Sequence, residues 1–86
     1  MQILAVCDED LIGKTFREEG LKLEISERFF KGEKATAEEV AKALQESNNS
    51  NLVGKETIGL ALKEEIITKD AILFIQDIPY TLIFEL

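Results

Sequence analysis

Two kinds of hydrophobic spacing occur along the chain, and the first predicts strands near its beginning. Residues 3–7 form an unbroken apolar run, which is typical of a strand buried on both faces. Residues 21–25 alternate apolar and charged positions, the period of a strand with one covered face. The acidic triplet at 8–10 and the sequence around Gly20 separate these segments as turns. The first 26 residues therefore predict a meander of two or three antiparallel strands.

Helical spacing dominates the middle of the chain. Thr36, followed three residues later by Glu39, is a capping box, and apolar positions recur on one face after it. The polar stretch 47–51 then interrupts the pattern, and Ser50 or Asn51 is in position to cap a second helix. That second helix is expected to bury five side chains, namely Val53, Ile58, Ala61, Leu62 and Ile66.

The end of the chain returns to strand character. Residues 71–75 and 81–84 are apolar and flank a predicted turn at 76–80, which contains the only proline. We therefore predict an α+β fold for a single domain over residues 1–86, with a small mixed or antiparallel sheet and two helices packed on one face, in the order strands, two helices, strands. The last strand either lies at the sheet centre or forms an edge through which two copies pair as a homodimer.

Composition excludes several kinds of site. The chain has 86 residues, no His and one Cys. These counts exclude a Ser–His or Cys–His nucleophile pair, an ordinary Cys/His zinc site and an intrachain disulfide. The residues also predict no cofactor.

Charge and hydropathy bear on location and partners. The N-terminus lacks the cationic start of a signal peptide, and no apolar stretch approaches the roughly 20 residues of a membrane helix. We expect a cytoplasmic protein that does not bind membranes. The net charge of −7 disfavours direct nucleic-acid binding. Residues 1–35 hold six basic against eight acidic side chains, so a local basic face stays an open alternative.

Several segments together resemble an archaeal family of unknown function, number 424. The resemblance begins with residues 6–16 (VCDEDLIGKTF) and 21–26 (LKLEIS), and it continues with 51–55 (NLVGK), an Ala/Leu-rich helix and an Ile-Pro turn at 78–79. It implies an archaeal cytoplasmic origin and a link to translation or RNA metabolism, without an established activity. The family tends to have Gly-Val-Pro-His near its end, where this chain has Asp-Ile-Pro-Tyr at 77–80. If that His has a chemical role in the family, this chain lacks it.

The sequence Gly13-Lys14-Thr15 matches the end of a phosphate-binding P-loop. The complete motif needs a Gly at position 8, where this chain has Asp8, and a helix after the loop, where an alternating strand is predicted. Gly13 at a bend or bulge is therefore the favoured interpretation, and nucleotide hydrolysis is disfavoured.

The start of the predicted second helix is the favoured binding site. A helix N-terminus offers free N–H groups, and Gly54 would let an anion approach while Lys55 adds a positive charge. We group Gly13, Lys14, Asn51, Gly54 and Lys55 as one candidate polar binding surface. The competing interpretation makes Asn51 only a helix cap and Gly54 only a tight helix–sheet contact.

Asp8 and Asp10 support an alternative, a minimal enzyme that uses carboxylates and a divalent metal. Neighbouring residues of an extended chain point to opposite faces, which favours an ordinary solvated turn instead. Cys7, at the end of an apolar run, is read as a core residue rather than a reactive thiol.

Phe29 and Phe30 lie among basic residues (Arg28, Lys31 and Lys34), a mixture found on single-strand RNA platforms. Packing under the helices is the competing use of these aromatic side chains. Taken together, the sequence predicts a non-enzymatic binding module that acts with a protein or ribonucleoprotein partner, and an enzyme is the less favoured class.

Overall fold

Six strands and two α-helices make up the part of the chain that a computed structural model describes, residues 3–26 and 35–84. In chain order they are β1 (Leu4–Cys7), β2 (Thr15–Glu18), β3 (Leu21–Glu24), α1 (Ala37–Glu46), β4 (Asn49–Val53), α2 (Lys55–Lys63), β5 (Leu73–Ile75) and β6 (Ile78–Phe84). Short 3-10 helices span Glu9–Leu11 and Lys69–Ala71. The predicted α+β class is confirmed.

The main sheet is mixed and has the strand order β1-β4-β6-β5. β1 pairs with β4 in parallel, whereas β6 pairs antiparallel with both β4 and β5. β2 and β3 form a separate antiparallel hairpin. The predicted meander is therefore wrong for β1, whose strand partner lies far along the chain, and right for the β2–β3 hairpin.

The second helix does not begin at Ser50 or Asn51, because both residues belong to β4. A strand thus lies between the two helices, and α2 begins only at Lys55. β4 is paired on both sides, by β1 and by β6, so its backbone donors and acceptors are satisfied in spite of its polar sequence. Tertiary pairing here overrides the low strand propensity of Asn and Ser.

Both helices pack on the same face of the main sheet, as predicted. The core between them and the sheet consists of Leu44, Leu52, Ile58, Ala61 and Ile67. Partly buried side chains of β1 and β6, Leu4, Val6 and Ile83, complete it. The helices therefore bury the sheet face to which Leu52 points.

The capping box at the start of α1 is confirmed. The Glu39 N–H donates to Thr36 Oγ1 at 3.1 Å, and the Thr36 N–H donates to Glu39 Oε1 at 3.0 Å. Hydrogen bonds from the Thr36 backbone N–H and side chain to the Glu39 carboxylate lower the pKa of Glu39. Because the folded state prefers the charged carboxylate, this stabilisation is present above the ordinary Glu pKa and is lost as the pH falls through the lowered one.

The β2–β3 hairpin covers one end of the opposite sheet face. Leu11, Ile25 and Val53 form the core there, with side chains of the hairpin and of β6 packed around them. The hairpin also contacts the β5–β6 turn, since Gln76 donates from its backbone N–H to the Glu18 carboxylate and from its side chain to the Arg17 carbonyl. The predicted turn at 76–80 is therefore shorter than expected and comprises Gln76 and Asp77, both with positive φ.

The C-terminus of α2 provides a test of backbone strain. Glu65 has φ of +58° there, and the N–H groups of Glu65 and Ile66 donate to the carbonyls of Leu62 and Ala61. This is the hydrogen-bond pattern of a Schellman cap, in which Gly is the favoured residue at the left-handed position. Replacing Glu65 with Gly is expected to raise the free energy of unfolding by about 0.5–1 kcal/mol. Urea denaturation measures it, and a destabilised variant would contradict the assignment of this cap.

Candidate functional site

The side chain of Asp8 caps helix α2 from a distant part of the sequence. Asp8 directly follows β1, and α2 follows β4 after one residue, so the parallel pairing of the two strands brings Asp8 to the start of the helix. One carboxylate oxygen accepts from the Glu56 N–H at 3.0 Å. The other accepts from the Thr57 N–H and the Thr57 hydroxyl, each at 2.8 Å. The carboxylate therefore satisfies the N–H groups that a helix start leaves free.

Gly54 makes this capping geometry possible. Its φ is +113°, and a Cβ atom at this position would lie 2.3 Å from the Cγ atom of Asp8. The Gly54 N–H is also held, by the Pro79 carbonyl at 2.8 Å. Any other residue at position 54 would displace the Asp8 carboxylate and strain the backbone.

The structure places the five predicted binding residues on three segments: the start of α2, the turn before β2, and β4. Gly54 and Lys55 lie at the start of α2, where the Asp8 carboxylate accepts from the N–H groups of residues 56 and 57. Gly13, with φ of +88°, and Lys14 form the turn before β2, so the favoured interpretation of Gly13 as a bend is correct. Asn51 lies in β4 on the sheet face opposite the helices, which separates it from the helix start.

The two carboxylates of the metal-dependent alternative have different surroundings. Asp8 is 9% exposed and its oxygens accept the three hydrogen bonds from α2, whereas Asp10 is exposed in the first 3-10 helix. Within residues 3–26 and 35–84, no group of three or more His, Cys, Asp or Glu side chains is placed to hold a metal ion. The geometry of Asp8 is that of a structural cap.

Cys7 has the surroundings of a structural residue. Its side chain is partly buried and packs against the core beneath the β2–β3 hairpin. Burial raises the pKa of its thiol, and the negative charges of Asp8 and Asp10 raise it further. A raised pKa reduces the thiolate fraction at neutral pH, which supports the interpretation of Cys7 as a core residue.

Among residues 3–26 and 35–84, the β2–β3 hairpin and the core beneath it cover one end of the sheet face opposite the helices. Strand register places six side chains on the remaining part of this face, which we call the open half-face: Ala5, Asn49, Asn51, Leu73, Leu82 and Phe84. Leu82 is 53% exposed, Phe84 62% and Leu73 52%. None of the six carries a charge. Leu82 and Phe84 are thus neighbours on one strand, with Leu73 diagonal to Leu82 on the same face, and all three are exposed to solvent.

The open half-face was not among the sequence-predicted sites, although its signal was present. Residues 81–84 are apolar at nearly every position, so this strand offers apolar side chains to both faces of the sheet. Both helices pack on the Ile83 side, which leaves Leu82 and Phe84 facing away from them. In a chain with two helices on the same face, this pattern indicates an exposed apolar surface.

Two other sequence predictions concern the aromatic and basic segment and the last strand. The aromatic and basic segment around Phe29 and Phe30 lies outside the described residues. The last strand, β6, is flanked by β4 and, over residues 78–80, by β5. Pairing between two copies through the outer edge of β6 is thus limited, within the described residues, to residues 81–84.

In the described ranges, no helix combines the length and the apolar character needed to cross a membrane.

Comparison with known proteins identifies relatives of the whole chain. Residues 1–86 match the model of a family described as a protein of unknown function, DUF424. The chain is also similar to an uncharacterized conserved protein from Methanopyrus kandleri, whose crystal structure has a TM-score of 0.76 and 27% sequence identity to it. That similarity covers 94% of this chain and 78% of the Methanopyrus chain. No curated protein matches it. Because the family match spans the full length and agrees with the resemblance in the sequence, the chain belongs to the DUF424 family.

Proposed function

We propose that this protein is a non-enzymatic binding module that holds a protein partner on the open half-face. The observation that carries the proposal is the exposure of Leu73, Leu82 and Phe84 on one surface. Contiguous apolar patches on a soluble domain mark interaction sites, because leaving such side chains in water is unfavourable. Burial of one large side chain stabilises a complex by about 1.5–3 kcal/mol.

The chemistry of the surface favours a protein over a nucleic acid. Affinity for nucleic acid comes largely from Lys and Arg side chains that neutralise phosphates. The open half-face has no such side chain, and the protein as a whole carries a net charge of −7. Aliphatic side chains and two Asn amides match the mixed apolar and polar surface of a protein interface instead.

Affinity capture with a pair of variants tests this proposal. Leu82→Gln changes the open half-face, whereas Leu21→Gln changes the tip of the β2–β3 hairpin, where Leu21 is similarly exposed at 56%. Tagged wild-type protein and both variants are incubated with lysate from the source cells, with and without RNase. We expect Leu82→Gln to lose the captured protein and Leu21→Gln to retain it, in both conditions.

Different outcomes would contradict this proposal. Capture that survives Leu82→Gln would exclude the open half-face as the binding site. Capture lost on RNase treatment would move the partner to the ribonucleoprotein class and support the link to translation or RNA metabolism. Both substitutions are at exposed positions, so we expect each to change the free energy of unfolding by only about 0.5 kcal/mol. Thermal unfolding checks that both variants are folded.

A cytoplasmic location belongs to the same proposal. Fractionation of the source cells, with detection of the native protein, tests it. Recovery of the protein with the membrane fraction would contradict it.

A further inference from the structure

We infer that the partner occupies the open half-face with an amphipathic, positively charged helix that lies along β4. This inference rests on the proposed function and specifies the shape and charge of what binds. Four features support it: the spacing of the apolar side chains, the backbone of the sheet, the size of the surface and the charge of the chain.

Apolar side chains lie on both sides of a polar column. Leu82 and Phe84 of β6 lie on one side of β4, and Ala5 of β1 lies on the other. Between them, β4 presents Asn49 and Asn51 to the same face. Neighbouring strands are about 4.8 Å apart, so Ala5 and the column of Leu82 and Phe84 are separated by roughly 10 Å. This matches the width of an α-helix, which is about 10–12 Å with its side chains.

A helix also solves the hydrogen-bonding requirement of a segment bound to a sheet face. The backbone groups of β4 are directed sideways to β1 and β6 and are used by them. An extended segment laid flat on this face would therefore bury N–H and C=O groups without partners, at a cost of about 1–3 kcal/mol each. A helix satisfies its own backbone and needs only side-chain contacts.

The size of the open half-face fits a single segment better than a second copy of the chain. A patch built from a few side chains offers on the order of 300–600 Å². A stable protein–protein interface buries roughly 800 Å² on each partner. The net charge of −7 opposes self-association and attracts a basic segment.

A pair of synthetic peptides tests the inference directly. The first is a fluorescein-labelled peptide of Lys and Leu, about 18 residues or five helical turns long, with Leu at helical spacing. The second has the same composition with Lys and Leu alternating, which is the strand period. Fluorescence anisotropy measures the binding of both to wild-type protein, Leu82→Gln and Leu21→Gln.

We expect the helical peptide to bind the wild-type protein about tenfold more tightly than the alternating peptide, a difference of about 1.4 kcal/mol. Leu82→Gln should weaken the helical peptide by a similar factor, while Leu21→Gln leaves its affinity unchanged. The affinity should also fall as salt is added, because screening reduces the attraction between the basic peptide and the acidic protein.

Four results would overturn the inference. They are equal binding of the two peptides, an equal effect of the two variants, a wild-type dimer in light scattering that Leu82→Gln dissociates, and an oligouridylate whose binding depends on Leu82. If lysate capture depends on Leu82 but the helical peptide shows no preference, only the inference fails. If capture does not depend on Leu82, the proposed function fails as well.

Discussion

Replacing Gly54 with Ala is expected to destabilise the fold by about 3–5 kcal/mol. Two effects add at this position. The backbone has φ of +113°, which side chains of L-residues rarely adopt, and the new Cβ would lie 2.3 Å from Cγ of Asp8. The carboxylate would have to leave α2, or the link between β4 and α2 would have to shift. Urea denaturation of the purified variant measures the loss.

Gly59 is the matched control, because it lies in the same helix and a Cβ there meets nothing within 4 Å. Gly59→Ala should therefore stabilise the protein by about 0.5–1 kcal/mol through helix propensity. In the double variant Asp8→Ala/Gly54→Ala the steric conflict is absent. Its loss of stability should therefore be smaller than the sum of the two single losses by about 1–3 kcal/mol. Fully additive losses, or a Gly54→Ala variant as stable as wild type, would refute the contact.

Asp8→Ala is expected to lower the free energy of unfolding by about 2–4 kcal/mol. The substitution removes the hydrogen-bond acceptor of the Glu56 N–H, the Thr57 N–H and the Thr57 hydroxyl. Thr57 is buried, so its donors would lose their partner without gaining full access to water. Chemical denaturation gives the size of the effect, and circular dichroism shows whether helix content falls with it.

Asp8→Asn removes the negative charge of the side chain but keeps one oxygen that can cap the helix. Its amide keeps one carbonyl oxygen for Thr57 but presents an NH₂ group to the Glu56 N–H, so we expect a stability between those of wild type and Asp8→Ala. A metal-dependent role makes a different prediction, namely that added Mg²⁺ stabilises wild-type protein and has no effect on either variant. Wild-type stability that does not respond to Mg²⁺, with the expected order of variants, supports the structural role.

Local patterns in the sequence were sufficient for elements that depend on neighbouring residues. Thr36 and Glu39 predicted the start of α1 because a capping box lies within one turn of the chain. The alternation in 21–25 predicted β3 for a similar reason. β4 was missed because its stability comes from β1 and β6 on its two sides, while its own sequence, rich in Asn and Ser, resembles a helix cap.

The candidate sites show the same limit of sequence reasoning. The sequence predicts close approach of an external anion at Gly54. The structure shows close approach at this position, but the anion is the carboxylate of Asp8. The hydrogen bond from the Glu56 N–H to Asp8 spans 48 sequence positions, and no local sequence pattern predicts a contact over that range. The open half-face was missed because it depends on which side of β6 the helices cover, a property of the assembled sheet.

The parallel pairing of β1 with β4 has a consequence for synthesis on the ribosome. β1 is made before its strand partner, which follows more than 40 residues later. At roughly 5–20 residues per second, the nascent chain spends several seconds before β4 can leave the exit tunnel. During that delay the apolar residues of β1 lack their sheet partner, and the β2–β3 hairpin is the only paired element of the described chain that precedes β4. The pairing of β1 and the capping of α2 by Asp8 therefore both wait until the later β4–α2 segment has been made.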